Sequence, residues 1–173
     1  MKISTFAFLT LICLSNRTVS YSQIISASDP ISWLNSENFP NIAFEKLEDK
    51  KFRYKKNENP YARYITYALT SDTTAYQITI DHDSEQYDYE LEKRIEFSKY
   101  LTFLFFGSQK QEYNLLAKQI KETCTLVVVR DDIMDAKRKH RIYKKNNVWI
   151  RVSDGNFASG LGMFYGVEFY KRK

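Results

Sequence analysis

The chain is poor in the residues that most often mark an active centre or staple a small fold. It has two cysteines, two histidines, three prolines and five glycines in 173 residues. Only Cys124 lies beyond the first 22 residues, so no disulfide can form within the remainder and the core alone must hold it together. The scarcity of glycine and proline excludes long flexible linkers. The sequence contains no phosphate loop, dinucleotide fingerprint, nucleophile elbow, zinc-protease helix or Cys-x-x-Cys pair, so no cofactor is expected.

The apolar run from Ile3 to Leu14 is 12 residues, short of the roughly 20 that span a membrane. With Lys2 before it and the small residues Ser20 and Ser22 after it, it reads as a signal peptide over 1–22, cleaved after Ser22 or Ser20. Cys13 does not suit lipidation, because Ile12 stands where a lipoprotein signal carries a small residue. The expected product is an exported, periplasmic or extracellular bacterial protein. Residues 23–173 are expected to form a single domain, or two small tightly fused halves, monomeric and without a transmembrane segment.

What the chain does have is aromatic mass, with 13 Tyr and 12 Phe. Tyr100 to Phe106 is apolar on both sides of an extended strand. Leu101, Phe103 and Phe105 face one way, and Tyr100, Leu104 and Phe106 the other, so both faces must be covered. After Gly107, Ser108 and Gln111 suit a capping box, and Tyr113, Leu116, Ala117 and Ile120 recur at helical spacing. Cys124 to Val129 predicts a second buried strand, with Cys124 itself buried as a small hydrophobe.

Upstream, Asp29-Pro30 opens a short helix carrying Trp33 in the core, and a second helix is expected from about Pro40 to Leu47. Lys50 to Lys56 reads as an edge strand guarded by lysines. Arg63 to Leu69 and Thr74 to Asp81 form a hairpin around 70–73. Tyr87 to Phe97 alternates apolar and charged residues and is assigned as a strand, although Tyr87, Leu91 and Ile95 also fit a helix. His140 to Lys145 and Val148 to Ser153 close around Asn146-Asn147, with Tyr143 opposite Ile150 and Arg141 opposite Val152. Residues 154–162 hold three of the five glycines and suit a mobile loop, and Met163 to Tyr170 is the closing strand. Asn41 to Tyr76 and Asn114 to Trp149 are both 35 apart, a weak α-β-β-β echo. The expected fold is α+β, a mostly antiparallel sheet with helices packed on one face.

Charge is unevenly spread. Residues 23–107 hold 10 basic and 14 acidic side chains, a net of −4, whereas residues 108–173 hold 14 basic and 7 acidic, a net of +7. The excess gathers over 138–153 and its flank, in Lys137, Arg138, Lys139, Arg141, Lys144, Lys145 and Arg151, interleaved with Tyr143 and Trp149. These nine residues are the candidate binding surface, for an anionic glycan, a lipid headgroup or an acidic protein. The leading reading is a non-enzymatic binding protein. The alternatives are a secreted hydrolase whose carboxylates, such as Asp81, Asp83 and Asp154, gather only in three dimensions, and an inhibitor or immunity protein. Asp81-His82-Asp83 reads as a solvated turn and His140 as a strand-surface histidine. The knot Asp131, Asp132, Asp135 lacks the ligand number and glycine of a calcium loop.

Overall fold

A computed structural model describes residues 25–50, 52–55, 65–69, 76–81, 84–106, 110–133, 135, 137–154, 157–159 and 162–173. The expected signal peptide, the Ser108 cap, the 70–73 turn and the His82-Asp83 pair lie outside the described residues, as do the side chains of Asp81 and Asp154.

Helices α1 (Ser28–Asn35) and α2 (Asn41–Asp49) precede strands β1 (Phe52–Lys55), β2 (Ile65–Leu69), β3 (Tyr76–Asp81), β4 (Ser84–Asp88) and β5 (Lys93–Phe106). Helix α3 (Lys110–Thr123) then leads into β6 (Thr125–Asp131), β7 (Lys139–Lys145), β8 (Val148–Asp154), β9 (Phe157–Ser159) and β10 (Gly162–Arg172). All the pairings are antiparallel, in the order β1-β2-β3-β5-β10-β8-β7-β6, with β4 on β5 and β9 on β10. The α+β architecture is therefore as the patterning predicts. The α-β-β-β order recurs too: α2-β1-β2-β3 builds one end of the sheet, α3-β6-β7-β8 the other, and β5 meets β10 at the centre.

The period of two along β5 sorts its side chains as expected. Leu101, Phe103 and Phe105 join Val148, Ile150, Val152, Val167 and Phe169 in one core beneath the helices. Tyr113, Leu116 and Ile120 of α3 close that core, and burying each contributes roughly 1.5–3 kcal/mol. Trp33 and Leu34 of α1 enter it as well. The Lys99 ammonium ties α1 down by donating to the terminal carbonyl of Leu34 at 3.0 Å, where a helix end favours a cation. Helix α1 begins a residue before Asp29, whose carboxylate accepts the Ser26 N–H at 3.1 Å. The 140–153 hairpin has the register expected of it, Arg141 opposite Val152 and Tyr143 opposite Ile150.

Two expectations are corrected. Tyr87–Phe97 is not one strand: β4 ends at Asp88, the chain turns through Tyr89 to Glu92, and β5 starts at Lys93. The buried Asp88 carboxylate drives the turn by accepting the N–H groups of Glu90 and Leu91 at 2.9 and 3.0 Å, and Glu92 takes a positive φ of 53°. Strand β6 is not buried. Among the described residues it pairs only with β7, and Leu126, Val127 and Val129 are 49, 40 and 44% exposed. Its apolar run matches an interior strand, but it stands at the end of the sheet and has one neighbour among the described strands. Within the glycine-rich stretch, β9 pairs with β10, Ser159 opposite Gly162.

Candidate functional site

The face of the sheet away from the helices holds a polar network under the β4–β5 turn. Glu168 of β10 and Arg151 of β8 sit opposite one another in register. The Arg151 guanidinium donates to Glu168, and the Tyr100 hydroxyl donates to the other carboxylate oxygen. Desolvation alone would lower the Arg151 pKa, but the facing Glu168 carboxylate outweighs it and the net direction is up. Desolvation, then the Glu168 charge, pushes Tyr100 well up.

The turn is strapped across this network. The Arg172 guanidinium donates to both Asp88 carboxylate oxygens, at 2.7 and 2.9 Å, and also to Glu90. The Trp149 indole N–H donates to Glu90 at 2.9 Å, and its ring lies between the Lys144 ammonium at 4.3 Å and Arg172 at 4.2 Å. Tyr89 lies against His140, ring centroids 4.1 Å apart, with the Arg151 guanidinium 4.5 Å from its centroid. Trp149 is thus covered by the turn and by two cations.

Beneath Tyr89 the structure assembles a set that sequence reasoning treated as three unrelated features. Ser153 Oγ is 3.0 Å from His140 Nδ1, and His140 Nε2 is 2.8 Å from Asp132 Oδ2. Asp132 also accepts the Asp135 N–H at 3.1 Å and faces the Arg138 guanidinium at 3.4 Å. His140 is 1% exposed and Ser153 1%, so the histidine is not on the strand surface. Its ring points under the turn because even-numbered β7 residues face away from the helices. A Ser–His–Asp chain can relay a proton, but here the hydroxyl is buried, and the chain ties Asp132 to β7 and β8.

Desolvation, then the Arg151 charge, lowers the His140 pKa from 6.5, against the opposing hydrogen bond to Asp132. Below about pH 6.5 the unfolded chain binds a proton that the folded chain resists, so stability should fall as pH drops from 6.5 towards the lowered folded value. Urea midpoints between pH 7.5 and 5 should show this loss. The slope should flatten in His140→Gln, and an unchanged slope would remove His140 as its source.

The nine basic-hairpin residues divide between the faces, as strand alternation requires. Lys137 is exposed. Arg138 and Lys139 are paired with the acidic knot, Arg138 with Asp132 and Asp135 and Lys139 with Asp131. Lys144, Trp149 and Arg151 belong to the network under the turn. Arg141 and Tyr143 face the helix side, and half-buried Lys145 borders a depression with Thr125 and Val127.

Arg141 and Tyr143 open instead into a groove of about 740 Å³ between α3 and strands β6 and β7. Its floor is Tyr113, Ala117, Leu126, Tyr143 and Val152, and none of its ten described lining residues is acidic. Lys118 and Lys121 stand on the helical wall and Arg141 on the strand wall. Lys118 also lies 3.9 Å from Glu122, an exposed pair of little strength. The Tyr113 hydroxyl donates to the Ser153 carbonyl at 2.6 Å, and burial pushes its pKa up to about 12, so it serves as neutral floor. Cys124, a free and half-buried thiol, lies at the helix–strand junction. Sequence reasoning missed Lys118 and Lys121. The signal available was Asn114, Ala117, Lys118 and Lys121 at the 0, 3, 4 and 7 spacing of a helix face beside the buried stripe.

The fold and these two regions define a single-sheet α+β protein with a largely buried polar network on one face and an open cationic groove on the other. Compared with known proteins, the chain matches no family model, no curated protein and no solved structure. Among the described residues there is no helix long and apolar enough to cross a membrane and no cluster of three or more potential metal ligands.

Proposed function

We propose that this chain is a small exported, non-enzymatic binding protein whose partner is anionic. The observation that carries the reading is the groove between α3 and the β6–β7 edge, which Lys118 and Lys121 of the helix and Arg141 of the strand line together, with no acid among its described lining residues. Of the basic residues singled out in the hairpin, Arg141 lines this groove. Cations gathered on one side raise the local concentration of an anionic partner and speed its encounter.

A sulfated-glycan resin at low ionic strength tests this. The protein should be retained and should elute as salt screens the charges. The double variant Lys118→Glu, Lys121→Glu should elute at clearly lower salt, and neutralising Lys139 should shift elution less. Failure of the native protein to bind at low salt would reject the reading.

A hydrolase remains the second reading, on one observation: the Ser153–His140–Asp132 distances. Binding is preferred because Ser153 Oγ is shut away from substrate. Labelling of Ser153 by a fluorophosphonate probe, lost in His140→Gln, would reverse that preference.

A further inference from the structure

We infer that the α3–β6–β7 groove takes a small anionic amphiphile, a molecule with a carboxylate or phosphate head on an apolar body. The inference rests on the anionic-partner reading and narrows it to a ligand class. The groove offers two kinds of surface together. Ala117, Leu126, Tyr143 and Val152 give a floor with no charged group, while Lys118, Lys121 and Arg141 hold positive charge on the two walls.

A glycan polyanion would satisfy the walls and leave the floor wet. A neutral apolar molecule would cover the floor and make no use of the cations. Only a ligand that is both apolar and anionic matches each part of the lining, by burial on the floor and by charge-assisted hydrogen bonds at the walls. The volume, about 740 Å³, falls within the roughly 300–1,000 Å³ usual for small-molecule clefts. Most of its described lining stands on a helix and paired strands, which hold it more precisely than a loop would. Leu126, 49% exposed, gains cover when the groove is filled, which accounts for a large aliphatic side chain at an open sheet edge.

The full chain is titrated with 8-anilinonaphthalene-1-sulfonate, which carries an anionic group on an apolar body. Displacement is then measured with dodecanoate, dodecyl phosphate and dodecyltrimethylammonium below their micelle concentrations. Saturable binding is expected, displaced by the two anions at concentrations at least about tenfold lower than by the cation. The order of the two anions tells a carboxylate head from a phosphate head.

Leu126→Glu places a carboxylate in the groove at an exposed position, so the fold should survive, as a cooperative urea transition would show. It should weaken the probe at least about tenfold. Alkylation of Cys124, followed by mass spectrometry of its peptide, should slow when dodecanoate is present. Equal displacement by the cationic amphiphile, or undiminished binding in a folded Leu126→Glu variant, overturns the inference. If retention on the sulfated resin still depends on Lys118 and Lys121 while no amphiphile binds, the ligand class is wrong and the anionic-partner reading stands. Loss of both results removes both.

Discussion

Glu168→Ala is expected to destabilise the protein by about 3–5 kcal/mol, the cost of leaving a mostly buried guanidinium without its counter-charge. The side chains of Arg151 and Glu168 are 16 and 14% exposed, so solvent offers Arg151 little substitute. Truncation also removes the acceptor to which the Tyr100 hydroxyl donates. Urea unfolding should show the loss as a lower midpoint at constant slope, and thermal unfolding as a fall of at least about 6 °C for a chain of this size. The paired variant Arg151→Met, Glu168→Leu separates charge from packing. Replacing both partners with apolar groups should restore most of the stability, because such a swap removes two desolvation costs along with one attraction. Equal losses in the single and double variants would show that the pair acts through shape alone.

Phe103→Ala should cost about 3–5 kcal/mol, whereas Val129→Thr should stay within about 0.5 kcal/mol of the native protein. Phe103 is fully buried at the crossing of β3, β5 and β10, beside Ile78, Val167 and Phe169. Its loss removes a large apolar surface and opens a cavity that rigid strands on both sides cannot close. Val129 lies on a strand with one neighbour and is 44% exposed, so a hydroxyl there meets water. Parallel urea titrations of the two variants read the difference directly. Similar costs at the two sites would contradict the placement of β6 at the sheet edge.

That contrast also marks how far sequence reasoning reaches. YLTFLFF and TLVVV look alike as strings, each an apolar run of strand length next to α3. The first is central and the second peripheral because of the pairing order, and no local pattern encodes which strand closes a sheet. The turn at Tyr89–Glu92 was hidden for a similar reason. Alternation from Tyr87 to Phe97 continues through it, and the turn is set by Asp88, whose role depends on the distant Arg172 that neutralises it. His140, Ser153 and Asp132 were each readable as ordinary surface chemistry, since 13 and 8 residues of sequence separate the partners that meet within a hydrogen bond. The cations of the groove were half legible. Arg141 stood out in a basic run, but Lys118 and Lys121 are unremarkable helix lysines until β7 is laid alongside them.

By itself the sequence determined the α+β class, the two-sided apolar character of the Tyr100–Phe106 strand, the buried stripe of α3 and the register of the 140–153 hairpin. These follow from periodicity and turn chemistry, which act between residues close in the chain. Only the tertiary structure decided that β6 is an edge, that Trp149 and Arg151 lie under a strapped turn, and that Lys118, Lys121 and Arg141 share one groove. Those outcomes depend on which strands and helices become neighbours, and that choice is made by burial and charge pairing across the whole chain.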